Sequence, residues 1–333
     1  METLHAIEIT VTFWVQSLGS GLAPLMKAIT RLGNEEFYLF VMPLLFWSIE
    51  PSFGIRIGIM LLISNWVNGI AKLSIHSARP YWFDANVRAY ISESSFGPPS
   101  GHAQNAASLW GLAAASINKT WVTILMVVII FLIGFSRIFL GVHFLSDVLL
   151  GWILGGLLVF LFLRIEPGIT RWVKSLPLKH QLGYTALATL VMLLVGFIPY
   201  WFLSGWQIPA QWMETILITS PDHLPNPVTA SGLFTLTGTF FGIASGAAWF
   251  LSKYQRYDVS GNLVKRILRF LVGLVGILVL WFGLGQIFPS GEAWLPYSLR
   301  FIRYTLVCFW MSAIAPWVFI QLKLSSSEKV FSN

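Results

Sequence analysis

Charge is what this chain has least of. Of its 333 residues only 14 are Asp or Glu and 21 are Lys or Arg, 11% in all, against 56% hydrophobic residues and a mean hydropathy of +0.72. A soluble core does not use that balance, so a soluble globular protein is excluded and an integral membrane protein is implied. Cysteine is almost missing as well. Cys308 stands alone inside an apolar run, which rules out an intrachain disulfide and a cysteine-based metal site and leaves a buried, inert thiol. There is no internal repeat, low-complexity tract or long charged linker. No Lys or Arg precedes the first apolar stretch and no small-residue cleavage site follows it, so a signal peptide is not expected.

What is present in quantity is apolar sequence. A hydrocarbon layer of about 30 Å takes about 20 helical residues to cross. The runs here are continuous rather than alternating, so they predict helices and not a barrel. Spans are read at roughly 36–53, 54–75, 101–118, 121–138, 143–164, 183–204, 231–252, 267–288 and 299–322, nine crossings that leave no room for a separate soluble domain. Near the start, Val11, Trp14, Val15, Leu18, Leu22, Leu25, Met26 and Ile29 recur at helical spacing, but Gly19, Ser20, Gly21 and Pro24 interrupt them. That stretch either crosses as a tenth span or lies amphipathically on the interface. Pro167, Gly168 and the basic residues after them mark a seam between halves.

The few cations set an orientation, because cytoplasmic loops collect Lys and Arg. The 164–182 connection holds Arg164, Arg171, Lys174 and Lys179, and 253–269 holds Lys253, Arg256, Lys265, Arg266 and Arg269; both are expected to be cytoplasmic. The 205–230 stretch, with Glu214 and Asp222 and no Lys or Arg, and 289–299, with Glu292, are expected outside. Counting back through the helices places Lys72, His102 and His143 on that outer side. A net charge of +7 and a pI near 9.6 do not indicate nucleic acid, because the cations sit at membrane edges and in three short blocks rather than in one stripe. Anionic lipid headgroups account for them.

Those blocks carry the chemistry. Lys72 closes an apolar helix and is followed by Arg79-Pro80; Pro99-Ser100-Gly101-His102 opens another; Ser136-Arg137 ends a third, with His143 and Asp147 beyond it. A lysine at a membrane helix end either snorkels to the headgroups or answers a ligand. Arginine offers a planar fork suited to phosphate oxygens. Ser100 is placed at an N-cap, with Gly101 allowing close approach of an anion to the free amides and the positive end of the helix dipole. The bland alternative is an ordinary capped helix with a surface histidine, against which Gln104, Asn105 and Ser108 predict a polar, inward face. His143 and Asp147 stand four residues apart, a spacing that puts them on one helix face, where the carboxylate fixes the imidazole tautomer and leaves the other nitrogen free. The alternative there is a helix-surface ion pair.

In order and spacing, K-x6-R-P, P-S-G-H and S-R-x5-H-x3-D resemble the signature of the type 2 phosphatidic acid phosphatase superfamily, which includes lipid phosphate phosphatases, polyprenyl diphosphate phosphatases and vanadium-dependent haloperoxidases. The resemblance covers roughly residues 33–164. Gly33-Asn34-Glu35-Glu36-Phe37-Tyr38, Phe96-Gly97 and Ala103-Gln104-Asn105 look most similar to the sphingosine-phosphate-phosphatase-like branch. The resemblance implies an all-α integral membrane protein with a core of about six helices. It divides the chain into 1–32 (the interfacial or first crossing segment), 33–166 (the catalytic core) and 167–333 (about four additional helices without an assigned role). It implies that His143 is the nucleophile and becomes phosphohistidine, that Asp147 orients it, and that His102 protonates the leaving oxygen. Lys72, Arg79, Arg137, Ser100 and Gly101 would then bind the phosphoryl group, with no metal and no cofactor. Division of the reaction through a covalent intermediate suits a hydrolysis that needs accelerations toward ~10²¹.

The expected partners are a lipid phosphate substrate and membrane lipids, not nucleic acid. Lysosphingolipid or glycerolipid phosphate monoesters and undecaprenyl diphosphate all present the same terminal phosphoryl group. An outward-facing site in a bacterial plasma membrane would serve envelope lipid recycling. Two rivals are a haloperoxidase, whose setting is normally soluble, and a transporter that uses the anion nest without turnover. Other polar residues read structurally: His76 and Asp222-His223 as loop, His5 and His180 as interfacial, Trp201, Trp206 and Trp212 as an outer aromatic belt, and Gly151-x3-Gly155 as close helix packing.

Overall fold

The computed structural model describes residues 2–254 and 257–327, so Arg256, counted above among the loop cations, lies outside the described residues. The chain is helical: α1 (Glu2–Gln16), α2 (Ala23–Thr30), α3 (Glu35–Ser48), α4 (Pro51–Ile75), α5 (Pro80–Phe83), α6 (Gly101–Ile117), α7 (Thr120–Phe139), α8 (Leu145–Ser175), α9 (Leu178–Phe202), α10 (Ala210–Thr219), α11 (Ser231–Lys253), α12 (Leu263–Ile287), α13 (Trp294–Phe309) and α14 (Ala315–Gln321), with one wide turn at Trp310–Ile314 between the last two. A helix stands at each of the nine places where a span was read. Among the described residues, seven helical stretches are long and apolar enough to cross a membrane. The other two are α3, at 14 residues, and α6, at 17.

The interrupted N-terminal run becomes two short helices. At 15 residues α1 falls short of a crossing, and Ile9 and Val15 are buried in a core shared with Met26 of α2 and with Phe139, Val142, Phe144 and Val148. His5, expected at the interface, is buried instead, stacked on Phe144 with ring centroids 4.4 Å apart. Its amphipathic neighbours bring it inward.

The chain forms two compact units: Met1–Tyr38, Ile63–Arg164 and Ile198–Val228 in the first, and Leu39–Leu62, Ile165–Phe197 and Thr229–Asn333 in the second. In the first, α8 approaches α6 closely. A Cβ on Gly151 would come within 2.7 Å of the Ser100 carbonyl oxygen, and one on Gly155 within 2.6 Å of Ala107 Cβ, so only glycine permits this spacing. Trp206 and Trp212, read as membrane belt, cover the segment after α4: Trp206 packs edge-on against Phe96 at 5.0 Å and Trp212 against Trp82 at 6.2 Å. Trp201 remains outward, 81% exposed.

In the second unit Trp47 is fully buried, donates from Nε1 to the Met311 carbonyl at 2.9 Å, and meets Phe319 edge-on. Two basic segments read as loops are helical in part. α8 runs through Pro167 to Ser175, carrying Arg171 and Lys174. In a membrane helix the backbone groups freed by a proline can be satisfied by neighbours, so the helix continues through Pro167, and the chain passes from the first unit to the second at Arg164–Ile165, just before it. Arg269 lies in α12, fully buried, and donates to the carbonyls of Asp258 and Ser260 at 3.2 and 3.3 Å; it holds a turn together rather than serving as a free surface cation.

Candidate active site

Everything in the three blocks belongs to the first unit. Lys72 sits in the last turn of α4, where Nζ donates to the carbonyls of Phe96 and Gly97 at 2.7 and 2.9 Å. Those acceptors compensate its charge in an apolar setting and tie the segment after α5 back to α4. Arg79 precedes α5 and is 1% exposed. Its Nε donates to the Ser95 carbonyl at 2.7 Å, Nη2 to Ser95 Oγ at 3.1 Å, and Nη1 to the Val142 carbonyl at 2.8 Å. One guanidinium thus joins two turns that are far apart in sequence.

Ser100 is the N-cap of α6 as expected, its Oγ accepting from the Ala103 amide at 3.4 Å. Helix geometry leaves the first amides of α6 without intrahelical acceptors. Gly101 and His102 line the cavity described below, whereas Ser100 is fully buried behind it. His102 Nε2 lies 2.9 Å from Asn34 Oδ1, an acceptor, and 3.5 Å from Arg137 Nη1, a donor. Arg137, 1% exposed in the last turn of α7, forms an ion pair with Glu93, donates to Thr30 Oγ1 at 2.9 Å and comes within 3.5 Å of His102 Nε2.

His143 and Asp147 are paired, but not on one helix face. α8 begins at Leu145, and His143 lies in the turn before it, which Gly141 opens at φ 77°. Asp147 Oδ2 reaches back to accept the Phe144 amide at 3.1 Å and His143 Nδ1 at 3.1 Å. The carboxylate therefore caps the helix start and orients the imidazole through the same oxygen, a capping box half turned to chemistry. With Nδ1–H committed to Asp147, His143 Nε2 presents its lone pair, and Arg79 Nη1 faces it at 3.2 Å. Burial, then the charges of Arg79 and Lys72, lower the His143 pKa below the usual imidazole range, so the ring is held neutral.

Lys72, Arg79, Gly101, His102 and His143 line one cavity of about 140 Å³. Arg137, Ser100 and Asp147 stand behind that lining. Asn34, Glu93 and Ser95, none of them assigned a role from sequence, complete the picture. Burial alone would raise the Glu93 carboxyl, but Arg137, with Arg79 and His102 beyond it, brings its pKa well below the ordinary carboxylate range, so it is an anion among the cations. Glu93 and Asp84 are the two acids between the first two blocks, and nothing in the sequence distinguished Glu93 from Asp84. His76, read as loop, is exposed and bonds the Ser74 carbonyl at 3.1 Å.

This arrangement presents a neutral, oriented imidazole, a second imidazole set between an acceptor and a donor, and three cations around one polar hole. A phosphoryl group suits it. Comparison with known proteins agrees. Residues 53–171 match the PAP2 superfamily, and residues 234–327 match the PAP2 superfamily phosphatase transmembrane extension. Phosphatidylglycerophosphatase B of Bacillus subtilis is 33% identical over 164 residues, covering 45% of this chain and 78% of that protein. Glucose-6-phosphatase 3 of Bos taurus is 25% identical over 338 residues, 92% of each chain. Among solved structures, the transmembrane PAP2-type phosphatidylglycerolphosphate phosphatase of Bacillus subtilis matches at 28% identity and a TM-score of 0.44, over 51% of this chain and 89% of that one. The chain belongs to the PAP2 superfamily and is a multi-pass membrane phosphatase of that family.

Proposed function

We propose that this phosphatase cleaves a phosphate monoester in two steps through phosphohistidine. The His143 Nε2 lone pair forms a bond to phosphorus as the ester P–O bond breaks, and His102, made imidazolium by the phosphate dianion bound beside it, gives one proton to the departing alkoxide and is left neutral. Water then attacks the phosphohistidine, His102 takes back a proton, and phosphate leaves. Lys72, Arg79, Arg137 and the α6 amides, Gly101 first, stabilise the charge that grows on the equatorial oxygens. Asp147 keeps Nδ1 protonated throughout. The observation that carries this reading is the His143 ring, fixed through Nδ1 at 3.1 Å while Nε2 faces the cation-lined cavity.

Lipid phosphate is the substrate class proposed first, on the likeness to phosphatidylglycerophosphatase B and on the membrane setting, with the site opening on the extracytoplasmic side. A sugar phosphate is the second reading. It is favoured by an alignment with glucose-6-phosphatase 3 that spans 92% of each chain and so takes in the extension.

The deciding experiment is phosphate release by purified protein from phosphatidylglycerophosphate, phosphatidic acid, a sphingoid phosphate, undecaprenyl diphosphate and glucose 6-phosphate. His143→Ala is expected to cost about 10³-fold or more in kcat for the best substrate while leaving the protein folded. Vanadate, a mimic of five-coordinate phosphorus, should inhibit the wild type. Substantial turnover by folded His143→Ala would refute the assignment.

A further inference from the structure

Behind the histidines, α4 and α6 carry a row of hydroxyl and amide side chains in the first unit: Ser64, Asn65 and Asn68 on one helix, Gln104 and Asn105 on the other. In helices of this apolarity such groups are expensive unless paired, and those facing inward tend to serve a ligand. Their hydrogen bonds form a relay whose polarity a backbone carbonyl dictates. The Ser64 carbonyl accepts Gln104 Nε2 at 2.8 Å, which leaves Gln104 Oε1 to accept. Asn68 Nδ2 donates to that oxygen at 2.9 Å and to the Pro99 carbonyl at 3.3 Å. Asn68 Oδ1 is therefore left as a bare acceptor.

The relay runs the other way with the same logic. Gln104 Nε2 also reaches Ser64 Oγ at 3.3 Å, so the Ser64 hydroxyl proton goes to Asn105 Oδ1 at 2.6 Å. Asn105 Nδ2 in turn donates to Asn65 Oδ1 at 2.8 Å, and Asn65 Nδ2 is left as a bare donor. Among the described residues neither open end has a protein partner. Asn65, Asn68 and Asn105 all line the cavity that holds His102 and His143. Asn65 and Asn68 are three residues apart on α4, hence neighbours on one helix face. Asn68 Oδ1 lies 3.2 Å from where a Cβ on Gly101 would be, beside the phosphate nest.

We propose that this open donor and acceptor form a subsite for hydroxyl groups on the leaving alcohol, so that the enzyme selects phosphate monoesters of polyols. The inference rests on the function proposed above and narrows its substrate. A hydroxyl both donates and accepts, so it satisfies Asn68 Oδ1 and Asn65 Nδ2 together, or two hydroxyls take one each. An alkyl leaving group pairs with neither, while a diacylglyceryl or polyprenyl phosphate leaving group offers acceptors alone, so Asn68 Oδ1 at least is desolvated without compensation. A sugar and the glyceryl headgroup of a lipid present the same chemistry.

Wild-type kcat/KM is to be measured for two matched pairs: glucose 6-phosphate against hexyl phosphate, and detergent-dispersed phosphatidylglycerophosphate against phosphatidic acid. The hydroxylated member is expected to win by about tenfold or more in at least one pair, and the winning pair tells a soluble sugar from a lipid headgroup. Asn65→Leu and Asn68→Leu should collapse that ratio toward unity, with Asn65→Ala as the milder variant should the leucines disturb folding. The wild-type comparison needs no variant at all. His143-dependent turnover with no hydroxyl preference in either pair overturns the subsite alone, as does an equal loss on both members of a pair in the variants. Absence of His143-dependent turnover on all four compounds overturns the subsite, and its absence on the sphingoid phosphate as well overturns the proposed function.

Discussion

Asp147 shows how much one side chain is asked to do. Its Oδ2 accepts both the Phe144 amide just before α8 and the His143 ring, so the helix start and the proposed nucleophile share an anchor. Asp147→Asn is expected to preserve the cap poorly and to let the imidazole take the wrong tautomer. We expect kcat to fall by about 10²-fold or more in steady-state assays, with a much smaller change in KM. Acidity supplies a second prediction at this scale. The His143 pKa is depressed, so the neutral ring persists as pH falls and is lost only when pH passes the lowered value. The acid limb of kcat/KM should therefore lie below the ordinary imidazole value of about 6.5, and a limb above it would contradict the neutral nucleophile. Residue identities were the most legible part of this protein, because phosphate chemistry draws on few side chains and the three blocks hold them. What escaped was each residue's second partner. Asn34 on His102 and Glu93 on Arg137 are separated from them by 68 and 44 positions, and no local spacing announces such pairs.

At the scale of helices, the tightest constraint is the approach of α8 to α6. Gly155→Val would push its side chain into Ala107 Cβ and the Gln104 carbonyl, each 2.6 Å from a modest Cβ, and so shift the helix that Asp147 starts. Overpacking of this kind costs about 1–3 kcal/mol, and thermal unfolding in detergent should show a lower Tm together with reduced activity. A Tm equal to wild type would mean that the helices are free to part. The glycine pair was read correctly as a packing device, and helices at 101–117 and 120–139 fall within a residue of the spans read from hydropathy. The His143–Asp147 pair was read with the wrong backbone. A four-residue spacing suits a helix face, but the helix begins at Leu145, after His143 has passed, and the carboxylate reaches backward. α8 also outran its reading, since hydropathy falls at Arg164 while the helix continues through Pro167 to Ser175.

For the whole molecule, sidedness is the property to test. Cys308 is buried and is the one cysteine in the sequence, so single engineered thiols report position cleanly. With both positions exposed, Asp222→Cys should react with an impermeant maleimide on intact cells, and Lys179→Cys only after permeabilisation. The reverse pattern would place the three blocks toward the cytoplasm. Composition alone established that the chain lives in a bilayer and is built of helices, because too few charges and too much continuous apolar sequence leave no other fold. The order of the blocks alone indicated phosphate chemistry, because an anion must meet cations, free amides and imidazoles wherever they come from. Their convergence on one cavity, the reach of Asp147 back to His143, and the direction of the amide relay between α4 and α6 arise from contacts between distant segments. Those contacts are settled by packing and by which carbonyl each donor can reach, and neither quantity exists until the chain is folded.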